Sequence, residues 1–339
     1  MNKTGCCFIV PSSVLLKLAD KKSNPAEKKA LIDAALLSEH IRGQRTVRAL
    51  VSVGSFAGQK ERTVFDCQNL RPRPPQGVAR RAEDEAPSGE QTVDFAYDHA
   101  GITYDFYREI LNRNSIDGQG MRLDSFVHFG NGYNNAFWDG AEMVYGDGDQ
   151  QQFLGFAQSL DVVAHELSHG VTEFSVPGGG LEYVDQSGAL NESFSDVFGS
   201  VVKQWHKNQD VVTADWLIGD GIMGPQVGRA LRSMKSPGDT SITWFGDDQP
   251  QDMDGYVDGG DVHTNSGIPN RAFYLAATTI GGKSWEKSAR IWYRALSMLH
   301  FRATFAEAAQ ATISAATLLF GEASERDAVR DAWTAVKVL

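Results

Sequence analysis

Two histidines and a glutamate stand close enough along the chain to form the core of a metal site. They lie in the segment D-V-V-A-H-E-L-S-H, which contains the pattern H-E-x-x-H. Because His165 and His169 are four residues apart, a helix places both imidazoles on one face, which suits two nitrogen ligands of a tetrahedral Zn²⁺. Glu166 can then reach a metal-bound water without binding the metal itself. A surface helix with two solvated histidines is the alternative.

A second helical pattern offers the third ligand. In the segment L-N-E-S-F-S-D, Glu192 and Asp196 are four residues apart and share a helix face. Glu192 would complete a His₂Glu site that keeps a fourth position for water. Asp196 could accept the outer N–H of a ligand histidine and fix its tautomer. The alternative is a helix that carries two surface acids.

Two further polar residues fit a site that handles a developing negative charge. His263 lies in an acidic, glycine-rich loop, D-G-G-D-V-H-T-N-S-G, which precedes a helical pattern. A loop histidine beside a carboxylate can donate to an oxyanion, although such a stretch is more often only a loop. Arg232 could clamp a substrate carbonyl or form a structural salt bridge.

The elements that must position these residues follow from periodicity. Residues 12–41 predict one or two helices, the second beginning at Pro25, and residues 42–56 read as an exposed connector. Strands and loops are expected over 62–96 and around 123–145. The other helices are predicted within 97–116, with an end near Asn112–Asn114, at 160–175 and 188–207, and over most of the chain from 265 onward.

Length and composition limit the possibilities further. A chain of 339 residues suggests two domains, and it lacks the 18-residue apolar run of a transmembrane helix. Three cysteines are too few for a disulfide framework. The first 11 residues do not resemble a Sec signal peptide, so we expect synthesis in the cytoplasm and, if the protein leaves the cell, export by a non-Sec route.

Charge is distributed unevenly along the chain. Residues 1–50 contain nine Lys/Arg and four Asp/Glu, whereas the remainder contains 23 and 39. A basic leader can dock in cis on an acidic body, or it can be a solvated basic helix. The acidic body argues against nucleic-acid binding.

Several blocks of the sequence together resemble the thermolysin-like neutral metalloproteases, in the order and near the spacing of that family. The resemblance runs from about residue 62 to the C-terminus, and the short leader is similar to that of the protealysin-like branch. It implies an α+β, zincin-type fold with a mostly β N-terminal domain (51–184), an all-α C-terminal domain (185–339) and an inhibitory leader (1–50). The blocks are H-E-L-S-H, G-A-L-N-E-S-F-S-D, N-N-A-F-W-D-G-A-E-M-V-Y-G-D-G-D, A-L-R-S-M and D-V-H-T-N-S-G-I-P-N.

The resemblance also implies roles in catalysis. Zinc would be held by the two histidines and by Glu192, with Glu166 as the general base. Tyr183 and His263 would stabilise the tetrahedral oxyanion, Asp258 would orient His263, and Asp196 would support a zinc ligand. The implied activity is that of a zinc endopeptidase.

Substrate-binding roles follow in the same way. Asn135, Ala136 and Arg232 would bind the substrate backbone. A pocket for the residue after the scissile bond implies a preference for bulky apolar side chains, and its implied lining is itself apolar: Phe153, Phe156, Val162, Ile218 and Leu231.

The chain departs from the family pattern at three places. Three additional residues fall in the connector with Gly178–Gly180, before Tyr183. The family's double calcium site uses a carboxylate where this chain has Lys203, so we expect its ammonium to lie among Asp161, Asp215 and Asp220 in place of a cation, which makes calcium doubtful there. The leader contains Cys6 and Cys7, and one of these thiolates could cap the zinc. Alternatively, the apolar leader blocks the cleft by filling it.

The expected partners are protein or peptide substrates, the leader in cis and, as a further candidate, a proteinaceous inhibitor. No membrane partner is expected, and we expect a monomer. The rival functions are a binding protein that retains the fold without turnover and a zinc aminopeptidase. An aminopeptidase would need acidic groups that hold a free amine, and the sequence does not identify them.

Overall fold

The computed structural model describes residues 7–44, 59–71 and 76–339, with side chains of the leader described up to Ile41. Cys6 and most of the predicted connector lie outside these residues, as does the predicted leader boundary at residue 50. Among the described helices, none has the length and apolar character needed to cross a membrane.

The described leader consists of one short strand and the two predicted helices. Strand β1 (Cys7–Phe8) is followed by α1 (Ser12–Asp20) and α2 (Pro25–Gln44). Proline is favoured at the first position of a helix, and the Asn24 side chain accepts the Ala26 N–H at 2.9 Å. The start predicted at Pro25 is therefore confirmed.

A six-stranded mixed sheet forms the core of the N-terminal half. The strands of the body are β2 (Arg62–Asp66), β3 (Val78–Ala82), β4 (Leu123–Val127), β5 (Ala136–Trp138) and β6 (Met143–Tyr145). The spatial order of the sheet is β1-β5-β6-β4-β2-β3, so the leader strand occupies one edge. Strands β2, β4 and β6 run parallel, and the remaining pairings are antiparallel.

Helix α3 (Gln91–Leu111) begins six residues before the predicted start at 97 and ends directly before the predicted end near Asn112–Asn114. The side chain of Glu90 accepts the Thr92 and Val93 N–H groups and so caps the helix start. Asn112 adopts a left-handed conformation, with φ of 52°, and ends the helix. The predicted end near Asn112 is therefore confirmed, whereas the apolar periodicity did not reveal the cap at Glu90.

The two helices predicted to hold the metal pack against each other. They are α4 (Leu160–Ser175) and α5 (Asp185–His206), the latter beginning three residues earlier than predicted. At Gly199 a Cβ would lie 2.7 Å from the Asp161 carbonyl oxygen, so glycine allows α5 to approach α4 closely.

From residue 262 onward the chain is mostly helical, as predicted from residue 265. Before it, residues 207–261 form turns and loops that include a two-stranded ribbon. This ribbon pairs β7 (Leu217–Ile218) with β8 (Arg232–Ser233). The protein thus has a mixed-sheet N-terminal part and a helical C-terminal domain, whereas the predicted domain boundaries stay predictions. The helices are α6 (Val262–Asn265), α7 (Gly267–Ile280), α8 (Ser288–Leu296), α9 (Phe305–Phe320) and α10 (Ser324–Ala335).

Candidate active site

Three side chains from α4 and α5 converge at one buried point. The Nε2 atoms of His165 and His169 lie 3.0 Å apart. Glu192 Oε2 lies 3.4 Å from the first of these nitrogens, and its Oε1 lies 3.5 Å from the second. The structure therefore brings together the three predicted ligands.

Neighbouring side chains fix the tautomers of both histidines. His165 Nδ1 lies 2.8 Å from Asp196 Oδ1, and His169 Nδ1 lies 2.8 Å from Asn191 Oδ1. Because both partners are oxygen acceptors, each ring carries its proton on Nδ1 and turns the lone pair of Nε2 inward. The sequence identified Asp196, but not Asn191, although Asn191 directly precedes Glu192.

This donor set fits zinc. Two inward lone pairs at 3.0 Å repel each other unless a cation lies between them. Among the described residues, the buried Glu192 Oε2 has no hydrogen-bond partner. Two imidazoles and one carboxylate match a catalytic zinc site with one open position, so His165, His169 and Glu192 would hold the ion.

Glu166 is placed for proton transfer rather than for metal binding. Its Oε2 accepts the Trp138 backbone N–H at 3.0 Å, whereas its buried Oε1 has no hydrogen-bond partner within the described structure. The carboxylate also faces the backbone N–H of Ile9. Burial raises the pKa of Glu166 to about 8, and His165 opposes this shift. A carboxyl group that titrates near neutrality can both take and return a proton.

Tyr183 and His263 lie together on the other side of the ligand cluster. The Tyr183 hydroxyl donates to Glu192 Oε1 and lies 3.1 Å from His263 Nε2. The loop before Tyr183 is anchored by Glu182, whose carboxylate pairs with Arg302 at 2.5 Å. The additional residues around Gly178–Gly180 therefore leave Tyr183 within reach of the site.

The prediction that Asp258 orients His263 is wrong in this structure. The carboxylate on His263 Nδ1 is that of Asp261, at 2.8 Å, and Asp258 is exposed. Asp261 is the N-cap of α6 and accepts the His263 backbone N–H at 2.9 Å, which brings its carboxylate beside the ring. An aspartate directly before a helix is a capping signal, and it could have identified Asp261 from the sequence.

Arg232 is held by a buried ion pair. Its Nε and Nη2 atoms donate to the two carboxylate oxygens of Asp196, at 2.8 and 2.7 Å, and Asn270 donates to the same carboxylate at 2.9 Å. Burial alone would raise the pKa of Asp196, but Arg232 and His165 hold it well below its usual range. Asp196 thus links the zinc ligands to the substrate side of the cleft.

The leader lies along this cleft as an extended peptide. Cys7 and Phe8 pair with Trp138 and Phe137 of β5 in antiparallel register. The Phe8 carbonyl oxygen lies 2.9 Å from His263 Nε2, which can donate to it.

The next two leader residues bind the positions predicted to hold a substrate backbone. The Ile9 N–H donates to the Ala136 carbonyl at 3.4 Å, and Arg232 Nη1 donates to the Ile9 carbonyl at 3.1 Å. Asn135 accepts the Val10 N–H at 3.0 Å and donates to the Val10 carbonyl at 2.8 Å. The Phe8–Ile9 peptide bond therefore lies between the histidine donor and the Glu166 carboxylate.

The residues predicted to line the apolar pocket are buried in one continuous core. The rings of Phe153 and Phe156 have centroids 5.7 Å apart. The Leu231 N–H donates to the Ile218 carbonyl at 2.9 Å, and Val162 is buried on α4.

Docking of the leader depends mainly on apolar and backbone contacts. Phe8, Ile9 and Val10 have no exposed surface, whereas Lys17 forms a 2.6 Å ion pair with Asp248 of the body. The described Lys28 and Lys29 pair with acids of the leader itself. Docking in cis is observed, but charge is not its main cause.

Comparison with known proteins identifies the family. The thermolysin metallopeptidase catalytic domain matches residues 59–173, and the alpha-helical domain of the same family matches residues 179–338. The chain belongs to the thermolysin metallopeptidase family. It is a zinc-dependent hydrolase that acts on peptide substrates.

Relatives of this metallopeptidase include full-length matches. It is 42% identical to an extracellular metalloprotease of Pectobacterium carotovorum subsp. carotovorum, over all of this chain and 98% of that protein. It is 41% identical to thermolysin of Alicyclobacillus acidocaldarius subsp. acidocaldarius, over 72% of this chain and 44% of that protein. The precursor of protealysin from Serratia proteamaculans has a similar structure, with a TM-score of 0.86, 39% identity, and coverage of 98% of this chain and all of that one.

Proposed function

We propose that this metallopeptidase is a zinc endopeptidase made as a latent precursor, which cleaves before bulky apolar residues and whose leader occupies the substrate cleft. One observation carries the proposal: an extended peptide, residues 8–10, is bound through its backbone beside the three zinc ligands. A site that binds backbone groups on both sides of one peptide bond suits internal cleavage.

The geometry assigns each step to a side chain. When bound, zinc polarises the substrate carbonyl and lowers the pKa of a coordinated water. The Oε1 atom of Glu166 is available to take the proton of that water. Because the same carboxylate faces the N–H of Ile9, it can pass the proton to a leaving nitrogen in that position. His263 and Tyr183 donate to the carbonyl oxygen as negative charge develops there.

The position of Ile9 supports the proposed specificity. Ile9 follows the peptide bond that lies between His263 and Glu166, and it is fully buried. The five predicted pocket residues are all apolar and buried, so an ionised side chain there would have to give up its hydration without a partner.

The leader would act as an inhibitor in cis, because it binds the groups that substrate needs. Asn135, Ala136 and Arg232 cannot hold the leader and a substrate backbone at the same time. Removal of the leader should therefore create activity without any change in the ligand set.

The experiment compares the full chain with the form freed of its leader by limited proteolysis. The freed form should hydrolyse casein and peptides blocked at both ends, and chelation of zinc should abolish this activity.

Glu166→Gln should lower kcat by about 10²–10⁴-fold while zinc stays bound. Glu173→Gln, on the same helix, serves as the matched control. A freed form that binds zinc but turns nothing over would indicate a binding protein, and activity limited to unblocked peptides would indicate an aminopeptidase.

Specificity can be tested with the same blocked peptides. A peptide with Ile or Leu after the scissile bond should have a kcat/KM at least about 10-fold above that of the same peptide with Ser. Equal values for both would contradict the proposed pocket.

We also propose that the protein needs no calcium at the predicted position. Lys203 Nζ lies 3.1 Å from Asp161, 3.1 Å from Asp215 and 3.2 Å from Asp220, so the predicted placement of its ammonium is confirmed. These carboxylates already have a cation, and Ca²⁺ would have to displace it.

A further inference from the structure

Cys7 lies beside two of the three predicted zinc ligands. Its ligand atom and those of His169 and Glu192 all lie within 4.8 Å of one another, and all three residues are buried. The leader therefore brings a sulfur ligand to the place where the two body ligands already converge.

The backbone of the leader fixes this sulfur in place. Cys7 pairs with Trp138 of β5, and the next residue is held by the contact between the Phe8 carbonyl and His263, at 2.9 Å. Residues 9 and 10 are bound by four further backbone contacts of the cleft. Because the chain is held on the C-terminal side of Cys7, the sulfur is presented to the ligands without a search through many conformations.

Charge and coordination number both favour sulfur at this point. His165, His169 and Glu192 leave one position of a tetrahedral zinc ion open. Glu192 supplies one negative charge, so a thiolate makes the buried Zn²⁺ centre neutral overall. The buried Glu192 Oε2 has no hydrogen-bond partner in the described part of the chain, as expected for an atom that binds a metal.

We propose that in the intact chain Cys7 is the fourth zinc ligand and closes the site that water occupies in the processed enzyme. This inference rests on the proposed function. As the sulfur binds, the thiol loses its proton to solvent, and the bond that forms is a coordination bond without oxidation. Since four protein ligands exclude the water, the Phe8–Ile9 bond stays intact although it lies beside His263 and Glu166.

If the leader only fills the cleft, different atoms should surround the zinc ion in the precursor. Phe8, Ile9 and Val10 are fully buried and block the cleft whether or not sulfur touches the metal. In that case zinc would keep only nitrogen and oxygen ligands in the precursor. The two mechanisms therefore differ in the atoms around zinc, which can be measured without reference to activity.

The test is zinc K-edge X-ray absorption on the zinc-loaded full chain carrying Glu166→Gln, which prevents self-processing. We expect one sulfur at about 2.3 Å, together with nitrogen and oxygen ligands at about 2.0–2.2 Å. The sulfur shell should disappear in Cys7→Ser and persist in the matched control Cys6→Ser. Absence of sulfur in the parent chain, or its loss in Cys6→Ser alone, overturns the proposal.

A parallel measurement keeps this inference separate from the proposed function. The leader-freed form with intact Glu166 is assayed for chelator-sensitive hydrolysis of casein. Activity there with no sulfur shell in the precursor would reject Cys7 as a ligand and leave the proposed function standing. No activity there would reject the proposed function, whatever the absorption spectrum shows.

Discussion

Helices α4 and α5 carry two buried clusters that each need a cation, and they meet this need differently. One cluster is the zinc centre, formed by His165, His169 and Glu192. The other lies one turn back along α4, where Asp161 meets Lys203 of α5. In the first the cation must be a separate ion, whereas in the second it is part of the chain.

The two clusters use different cations because the first cation takes part in chemistry and the second only neutralises carboxylates. Lys203 Nζ also donates to the Leu217 carbonyl at 2.7 Å, so its surroundings are filled with oxygen acceptors. Burial would lower the pKa of Lys203, but the three carboxylates raise it above its usual range, and it stays charged. A covalently attached ammonium cannot dissociate, but it also offers no open position for chemistry. The zinc centre requires such a position, so its cation has to be a separate ion.

The largest expected effect comes from removing the attached cation. Lys203→Met leaves the buried Asp161 without its cation and next to the partly exposed Asp215 and Asp220, so we expect the free energy of unfolding to fall by about 3–5 kcal/mol. Because three carboxylates then resemble an oxygen-ligand site, Ca²⁺ should restore part of this loss. Urea denaturation with and without Ca²⁺ measures both effects.

The parent protein and a surface variant provide the controls. Lys207→Met, at the exposed end of α5, should change stability by no more than about 0.5 kcal/mol. The parent should show no calcium response. Equal stabilisation of parent and Lys203→Met by Ca²⁺ would contradict the comparison, because the ion would then bind elsewhere.

The sequence predicts these two clusters unequally well. Ligand spacing on a helix is periodic, so His165, His169 and Glu192 could be predicted from their positions alone. The position of the Lys203 ammonium could be predicted because the family has a carboxylate, of opposite charge, at this place in the sequence. The role of Asp258 is implied by the family resemblance alone. The structure gives this role to Asp261, because its position as the N-cap of the four-residue α6 brings its carboxylate beside the His263 ring.

The register of the leader along β5 is a second feature that could not be predicted from the sequence. The two helices of the leader follow from apolar spacing and Pro25, but its register along β5 depends on contacts between residues more than 100 positions apart. Nothing local to residues 7–10 specifies that Phe8 meets His263. The sequence suggested a thiolate on zinc as one of two alternatives, and only the register singles out Cys7.

A substitution at the contact between α4 and α5 should have an intermediate effect on stability. Gly199→Ala would place a Cβ 2.7 Å from the Asp161 carbonyl oxygen and 3.4 Å from His165 Cβ. Because the first of these atoms is backbone, α4 and α5 must move apart, at a cost of about 1–3 kcal/mol. Zinc affinity should fall as well, since the shift separates Glu192 from the histidines. Denaturation and zinc competition measure the two effects.

Gly155→Ala is the matched control for this change. Gly155 has φ of −62°, and its nearest Cβ contact would be 3.8 Å. We expect this variant to keep both stability and zinc affinity. If Gly199→Ala lowered stability but left zinc affinity unchanged, the two clusters would be mechanically independent, contrary to the comparison.

His128 forms a third cluster of a cation with carboxylates, but this cation can lose its charge by deprotonation. Its Nδ1 lies 2.9 Å from Asp147, and its Nε2 lies 3.2 Å from Glu90. The hydrogen bond to Asp147 raises the pKa of His128 to about 9, despite partial burial. The pKa of Lys203 is raised further above its already basic usual value, whereas His128, with a pKa of about 9, loses its charge in moderately basic solution.

The smallest predicted effect follows from this titration. Since the folded pKa of His128 is raised above the unfolded value of about 6.5, its contribution to stability is complete below about pH 6.5 and is lost as pH rises through about 9. The pair is partly exposed, so the contribution should be no more than about 1 kcal/mol.

His128→Asn tolerates the φ of 54° at this position, because Asn readily adopts left-handed conformations. Its stability deficit, measured by urea denaturation, should therefore be larger near pH 6 than near pH 10. A deficit for His128→Asn that is equal at both pH values would mean that packing, and not the charge, holds this third cluster together.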